Sequence, residues 1–80
     1  MKYELFKEVV LLRDIPQKGL KRGDVATIVE YHPVNDFIDG YTLEVFNVFG
    51  DTIAIITVSE SDIEPLREDE IFSARTLEAV

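Results

Sequence analysis

The residues able to do chemistry are few and scattered. The chain has one imidazole, His32, no cysteine and sixteen carboxylates among its 80 residues. Nucleophilic catalysis requires a hydroxyl or thiol beside a base that a third group orients. His32 precedes Pro33 at the end of a predicted strand, and no partner motif accompanies it, so it reads as a surface or loop histidine. The lack of cysteine excludes a thiolate zinc site and a disulfide framework. Glu44 lies between the apolar Leu43 and Val45, but strand alternation assigns it to the solvated side. The run "REDE" at 67–70 has the density of an oxygen-ligand site, without the alternate spacing and central glycine of a calcium loop. There is no Walker loop, no GxGxxG and no HExxH. The expectation is a protein that is not an enzyme, with no catalytic, metal or cofactor-binding residues and no cofactor.

Two other sets of residues point to binding. Lys18, Lys21 and Arg22 form a basic knob, with Arg13 nearby in sequence. A nucleic-acid site would add aromatics on which bases stack, for which Tyr31 and Tyr41 are candidates. The simpler reading of the knob is a solvated turn in which Gly19 and Gly23 supply positive φ. With a formal net charge of −8, counterion release on binding a phosphate backbone would be small. RNA or DNA binding therefore stands as the alternative.

The second set is acidic. Residues 1–50 hold six Lys and Arg against eight Asp and Glu, whereas residues 51–80 hold two against eight. Asp62, Glu64, Glu68, Asp69 and Glu70 would steer a basic partner, and Phe46, Phe49 and Phe72 are the aromatic candidates to anchor it. The partner expected is a protein with a basic surface, or a second copy of the chain.

The elements that position these residues follow an all-β rhythm, with short apolar segments separated by turn signals about every ten residues. Strands are predicted near 9–12, 25–31, 41–47, 52–58 and 63–66. Ser59 is a candidate N-cap reaching towards Asp62, which gives a short helical turn before the last strand, and Pro65 confines that strand to an edge. This order predicts a small SH3-like barrel. Residues 1–80 read as one domain, with the barrel at 1–66 and an extended or irregular tail at 67–80. The predicted core is Val10, Val25, Val29, Leu43, Val45, Ile53, Ile55 and Ile63. "TIAIITV" at 52–58 is apolar at both alternating sets of positions, so both faces should be covered, by the chain's own termini or by another chain. No apolar run is long enough for a membrane span, and the N-terminus lacks the apolar core of a signal peptide, so a cytoplasmic protein is expected.

"LKRGDVATIVE" at 20–30 resembles the opening of KOW-like and related SH3-type barrels, although Ala26 stands where such openings often carry glycine. Taken together, "LFKEVVLLRDIPQKGLKRGDVATIVE", "GDTIAIITVSESDIEPL" and "IFSARTL" resemble the uncharacterised bacterial domain-of-unknown-function family numbered 4926. That resemblance implies a small stand-alone protein with no assigned catalytic residue. Genes of such families often sit beside toxin-like or mobile-element genes, which implies an antitoxin or immunity role.

Overall fold

A computed structural model of the chain describes residues 3–33 and 39–77. Five strands form: β1 (Glu8–Leu11), β2 (Val25–His32), β3 (Gly40–Phe46), β4 (Thr52–Ser59) and β5 (Ile63–Pro65). They make one antiparallel sheet in the order β4-β3-β2-β1-β5. Each predicted strand is present within a residue or two. The sheet is unclosed, because β4 and β5 form its two edges and do not pair with each other. The class is all-β as expected, with five strands and a helical turn before the last.

The turns form as the local chemistry dictates. Gly19, Gly23 and Gly50 all have positive φ, at 70°, 95° and 87°. Ser59 caps a 3₁₀ turn at Glu60–Asp62: its backbone N–H donates to Asp62 Oδ2 at 3.0 Å while its Oγ accepts from the Ser61 N–H at 3.3 Å. Residues 71–77 carry neither helix nor strand. No helix among the described residues is long and apolar enough to cross a membrane.

The core lies on one face of the sheet. Val9, Leu11, Ala26, Ile28, Tyr41, Leu43, Ile56, Val58 and Ile63 pack there with Ile15 and Leu20. Cross-strand registry matches these residues to one another: Val9 faces Ala26, Ile28 faces Leu43, Leu43 faces Ile56, and Leu11 faces Ile63. Of the predicted core, Val10, Leu43, Val45 and Ile63 are buried.

The other four require correction. Val25 and Val29 are half-buried, and Ile53 and Ile55 are exposed. In β4 the inward set is Ala54, Ile56 and Val58. Its own sequence is apolar on both sides, so β3 decides, through the pairs Val45–Ala54, Leu43–Ile56 and Tyr41–Val58. In β2 a bulge intervenes: Ile28 pairs with Leu43 but Glu30 with Thr42, which leaves Val29 as the extra residue. The inward parity therefore switches from Ala26 and Ile28 to Tyr31, which packs against the core.

Candidate functional site

The tail passes over the outer face of the sheet and bounds a cleft of about 860 Å³, within the size range of ligand pockets. Its apolar wall includes Val10 and Val25 from the sheet, Phe46 and Val48 from the end of β3, and Ile71 and Phe72 from the tail. Val10 is buried yet stands outside the main core cluster, since alternation in β1 turns it away from Val9 and Leu11. Phe72 is 72% exposed and Val48 is 89% exposed, so this wall is open to solvent. A second hollow of about 370 Å³ shares Ser73, Ala74 and Arg75 with the first and extends the groove to Leu20, Ile53 and Leu77.

One clasp holds the tail in place. Arg75 donates from Nε to Asp24 Oδ1 at 2.9 Å and from a terminal nitrogen to Asp24 Oδ2, and that same nitrogen reaches the Gly19 carbonyl oxygen at 3.2 Å. Asp24 Oδ2 also accepts from the Lys21 N–H at 2.8 Å. Partial burial by itself would push the Asp24 carboxyl up. The hydrogen bonds from Arg75 and the Lys21 amide, with the charges of both cations, outweigh that and hold it below the ordinary carboxylate value.

The cleft joins the two sets of candidates that sequence kept apart. Lys21 and Arg22 line it together with Phe46, Phe72 and Glu70, whereas Lys18 lies in the 3₁₀ turn at Pro16–Lys18 and is not part of its wall. Arg67 and Arg75 also line it. Half of the eight Lys and Arg residues of this acidic chain therefore gather at one apolar cleft. Phe49 stands apart on the β3–β4 turn, 88% exposed.

The acidic candidates divide. Asp62 is engaged by Arg13 Nε at 3.1 Å and by the cap of the 3₁₀ turn, and Glu64 sits within β5. Glu70 closes a turn on Arg67, through its own N–H to the Arg67 carbonyl oxygen and through its carboxylate to the Arg67 N–H. Glu68 and Asp69 form the exposed tip of that turn.

The tyrosines proposed for base stacking are used elsewhere. Tyr41 is fully buried, and the rings of Tyr3 and Tyr31 both pack against it at centroid distances of 5.6 and 5.5 Å. Tyr31 donates to Asp39 Oδ2 at 2.6 Å. That bond, with partial desolvation and the negative charge of Asp39, pushes the Tyr31 phenol up to about 12.

His32 has more company than its sequence context implied. Its Nε2 is 2.6 Å from Thr42 Oγ1 and its Nδ1 is 3.7 Å from Glu30 Oε2, which puts an acid, an imidazole and a hydroxyl in line. The alternation of paired strands brings them together, a relationship invisible before the β2–β3 register is known. None of the three lines either hollow, and Thr42 Oγ1 is also 3.2 Å from Thr57 Oγ1. Glu44, half-buried, accepts from Thr52 Oγ1 at 3.2 Å. No group of three His, Asp or Glu among the described residues is arranged to hold a metal ion.

No curated protein and no solved structure matches the chain. Residues 5–65 match a family profile, so the match ends within β5 and the tail that bounds the cleft lies beyond it. The chain belongs to the family described as Domain of unknown function (DUF4926).

Proposed function

We propose that the protein is a non-enzymatic interaction module that receives a protein partner in the cleft between the tail and the sheet. The observation that carries this reading is the apolar wall of Val10, Val25, Phe46, Val48, Ile71 and Phe72, with several of its members exposed in the isolated chain. Aromatic anchors in a preformed groove supply affinity, and peripheral charges set the encounter rate. Glu68 and Asp69 form the exposed tip beside Arg67, whose Nε is 3.9 Å from Asp69 Oδ1, and they steer a basic partner. Such a partner suits the toxin of an antitoxin or immunity pair.

The experiment is capture of the partner encoded beside the gene, followed by binding kinetics. Phe46→Ala and Phe72→Ala are expected to raise the dissociation rate, by about tenfold or more each if they act as anchors. Charge reversal at Glu68 and Asp69 should slow association, and raised salt should do the same. A partner that binds both Phe variants as it binds wild type contradicts the reading.

One observation favours a second reading, in which a nucleic acid is bound: Lys21 and Arg22 share the cleft with Phe46 and Phe72. It predicts binding of single-stranded oligonucleotides at low salt that is lost on Lys21→Glu and falls steeply as salt rises. Absence of binding at low salt removes it.

A further inference from the structure

The two edges of the sheet differ in how they are guarded. β5 is short and ends in Glu64 and Pro65, both of which discourage pairing. β4 spans eight residues, TIAIITVS, with no charge and no proline. Edge strands of that length and composition are templates for pairing with another chain. Ile55, at 54% exposure, remains open on β4.

The backbone on this edge is directed outwards. Glu60 donates its N–H to the Asp39 carbonyl oxygen at 2.7 Å, which sets the alternation of the β3–β4 ladder. In an antiparallel pair every second residue exchanges both hydrogen bonds with its neighbour. Val58, Ile56 and Ala54 therefore turn their N–H and C=O groups towards Tyr41, Leu43 and Val45, and those of Thr57 and Ile55 point away from the sheet. No described residue outside the ladder makes a backbone hydrogen bond to either. A bulge at Ile53, between the pairs Val45–Ala54 and Phe46–Thr52, limits the regular edge to the part beyond it.

We propose that β4 is a self-association edge on which a second copy of the chain pairs antiparallel across a twofold axis near Ile55 and Ile56. The choice of occupant rests on self-complementarity. Centring the axis on either residue keeps each side chain opposite one of its own face, so Ile55 meets Ile55 or Thr57. Asp51 and Glu60 lie beyond the ends of the regular edge between the bulge and Ser59, and that edge itself carries no charge. Along it no acid faces an acid, which is the condition a chain of net charge −8 must meet to pair with itself. The remaining repulsion is long-range and screened by salt, so dimerisation tightens as ionic strength rises. A basic partner held by steering would respond in the opposite sense. The proposal stands independently of the cleft, since neither Ile55 nor Thr57 lines it.

The test is sedimentation or light scattering of the intact chain from micromolar to sub-millimolar concentration, at low and high salt. Wild type is expected to move from the monomer mass of 9.1 kDa towards twice that value, at lower concentration when salt is high. Ile55→Lys and Thr57→Lys place a charge on the edge and should stay at 9.1 kDa, with circular dichroism reporting that they remain folded. Phe72→Ala should dimerise as wild type does. Should both lysine variants unfold, amide exchange of wild type decides: the Ile55 and Thr57 amides should slow as concentration rises. A wild-type mass of 9.1 kDa under every condition overturns the proposal, as does a dimer that survives both lysine substitutions or leaves those amides fast.

Discussion

Arg75 holds both carboxylate oxygens of Asp24, joining the end of the tail to the turn that precedes β2 across a separation of 51 residues. The contact matters because few others fix the tail: residues 71–77 make no ladder and are exposed along their length. Asp24 is also held by the Lys21 amide, so its carboxylate organises the turn and the tail together.

Asp24→Asn should therefore loosen the tail without unfolding the sheet. Loss of a charged, partly buried hydrogen-bonded pair costs on the order of 1–3 kcal/mol, which raises the open population by about fivefold to a hundredfold. Chymotryptic cleavage after Phe72 reads this directly and should accelerate by a similar factor. Asp24 titrates below its ordinary value of 3.8 in the folded chain, so its contribution is complete above that pH and is lost as pH falls through the lower folded value. Cleavage that is unchanged in Asp24→Asn would show that the tail is held some other way.

The register of β4 predicts opposite outcomes for adjacent isoleucines. Ile56→Ala removes a buried side chain opposite Leu43 and should cost about 2–5 kcal/mol. Ile55→Ala removes one that is half-exposed and should cost under about 1 kcal/mol in the monomer. Urea titration at low protein concentration measures both, and the reverse ranking would place β4 one residue out of register.

Alkaline pH probes the Tyr31–Asp39 bond. Its neutral phenol is favoured in the folded chain, with a value of about 12 against an ordinary 10, so this contribution is full below pH 10 and is lost between 10 and 12. Tyr31→Phe should destabilise the protein at neutral pH and should flatten the fall across that window. Thermal melts at several alkaline pH values compare the two chains.

Phe6 adopts positive φ, at 64°, while 71% exposed. Its N–H donates to the Ile28 carbonyl oxygen at 2.6 Å and the Ile28 N–H donates to the Lys7 carbonyl oxygen at 3.0 Å, so two residues face one, as in a bulge whose first position favours glycine. Phe6→Gly should leave stability unchanged or raise it by up to about 1 kcal/mol, and Phe6→Val should lower it by about 1 kcal/mol or more. Differential scanning calorimetry separates these outcomes.

The strands were legible because their boundaries are marked locally, by Gly23-Asp24, by Gly50-Asp51 and by the Ser59–Asp62 cap. The facing of β2 and β4 was not. Val29 is an unpaired bulge residue, and "TIAIITV" offers isoleucines at positions of both parities, so only pairing with β3 fixes the inward side. The apolar members of the site, Phe46 and Phe72, could be named from sequence because a surplus of large apolar residues on both faces calls for cover. Their convergence with Lys21 and Arg22 could not, since it depends on the Arg75–Asp24 clasp, and a salt bridge between residues that far apart leaves no local pattern. The bulge at Phe6 likewise carries no glycine to announce it.

We propose that a protein partner docks in the cleft between tail and sheet. Hydrogen–deuterium exchange of the chain alone and bound to the partner encoded beside its gene tests it most directly. New protection is expected at residues 46–48 and 66–75, with loss of the complex in the Phe46→Ala, Phe72→Ala double variant. Protection confined to other surfaces, or a complex that the double variant retains at full affinity, would contradict it.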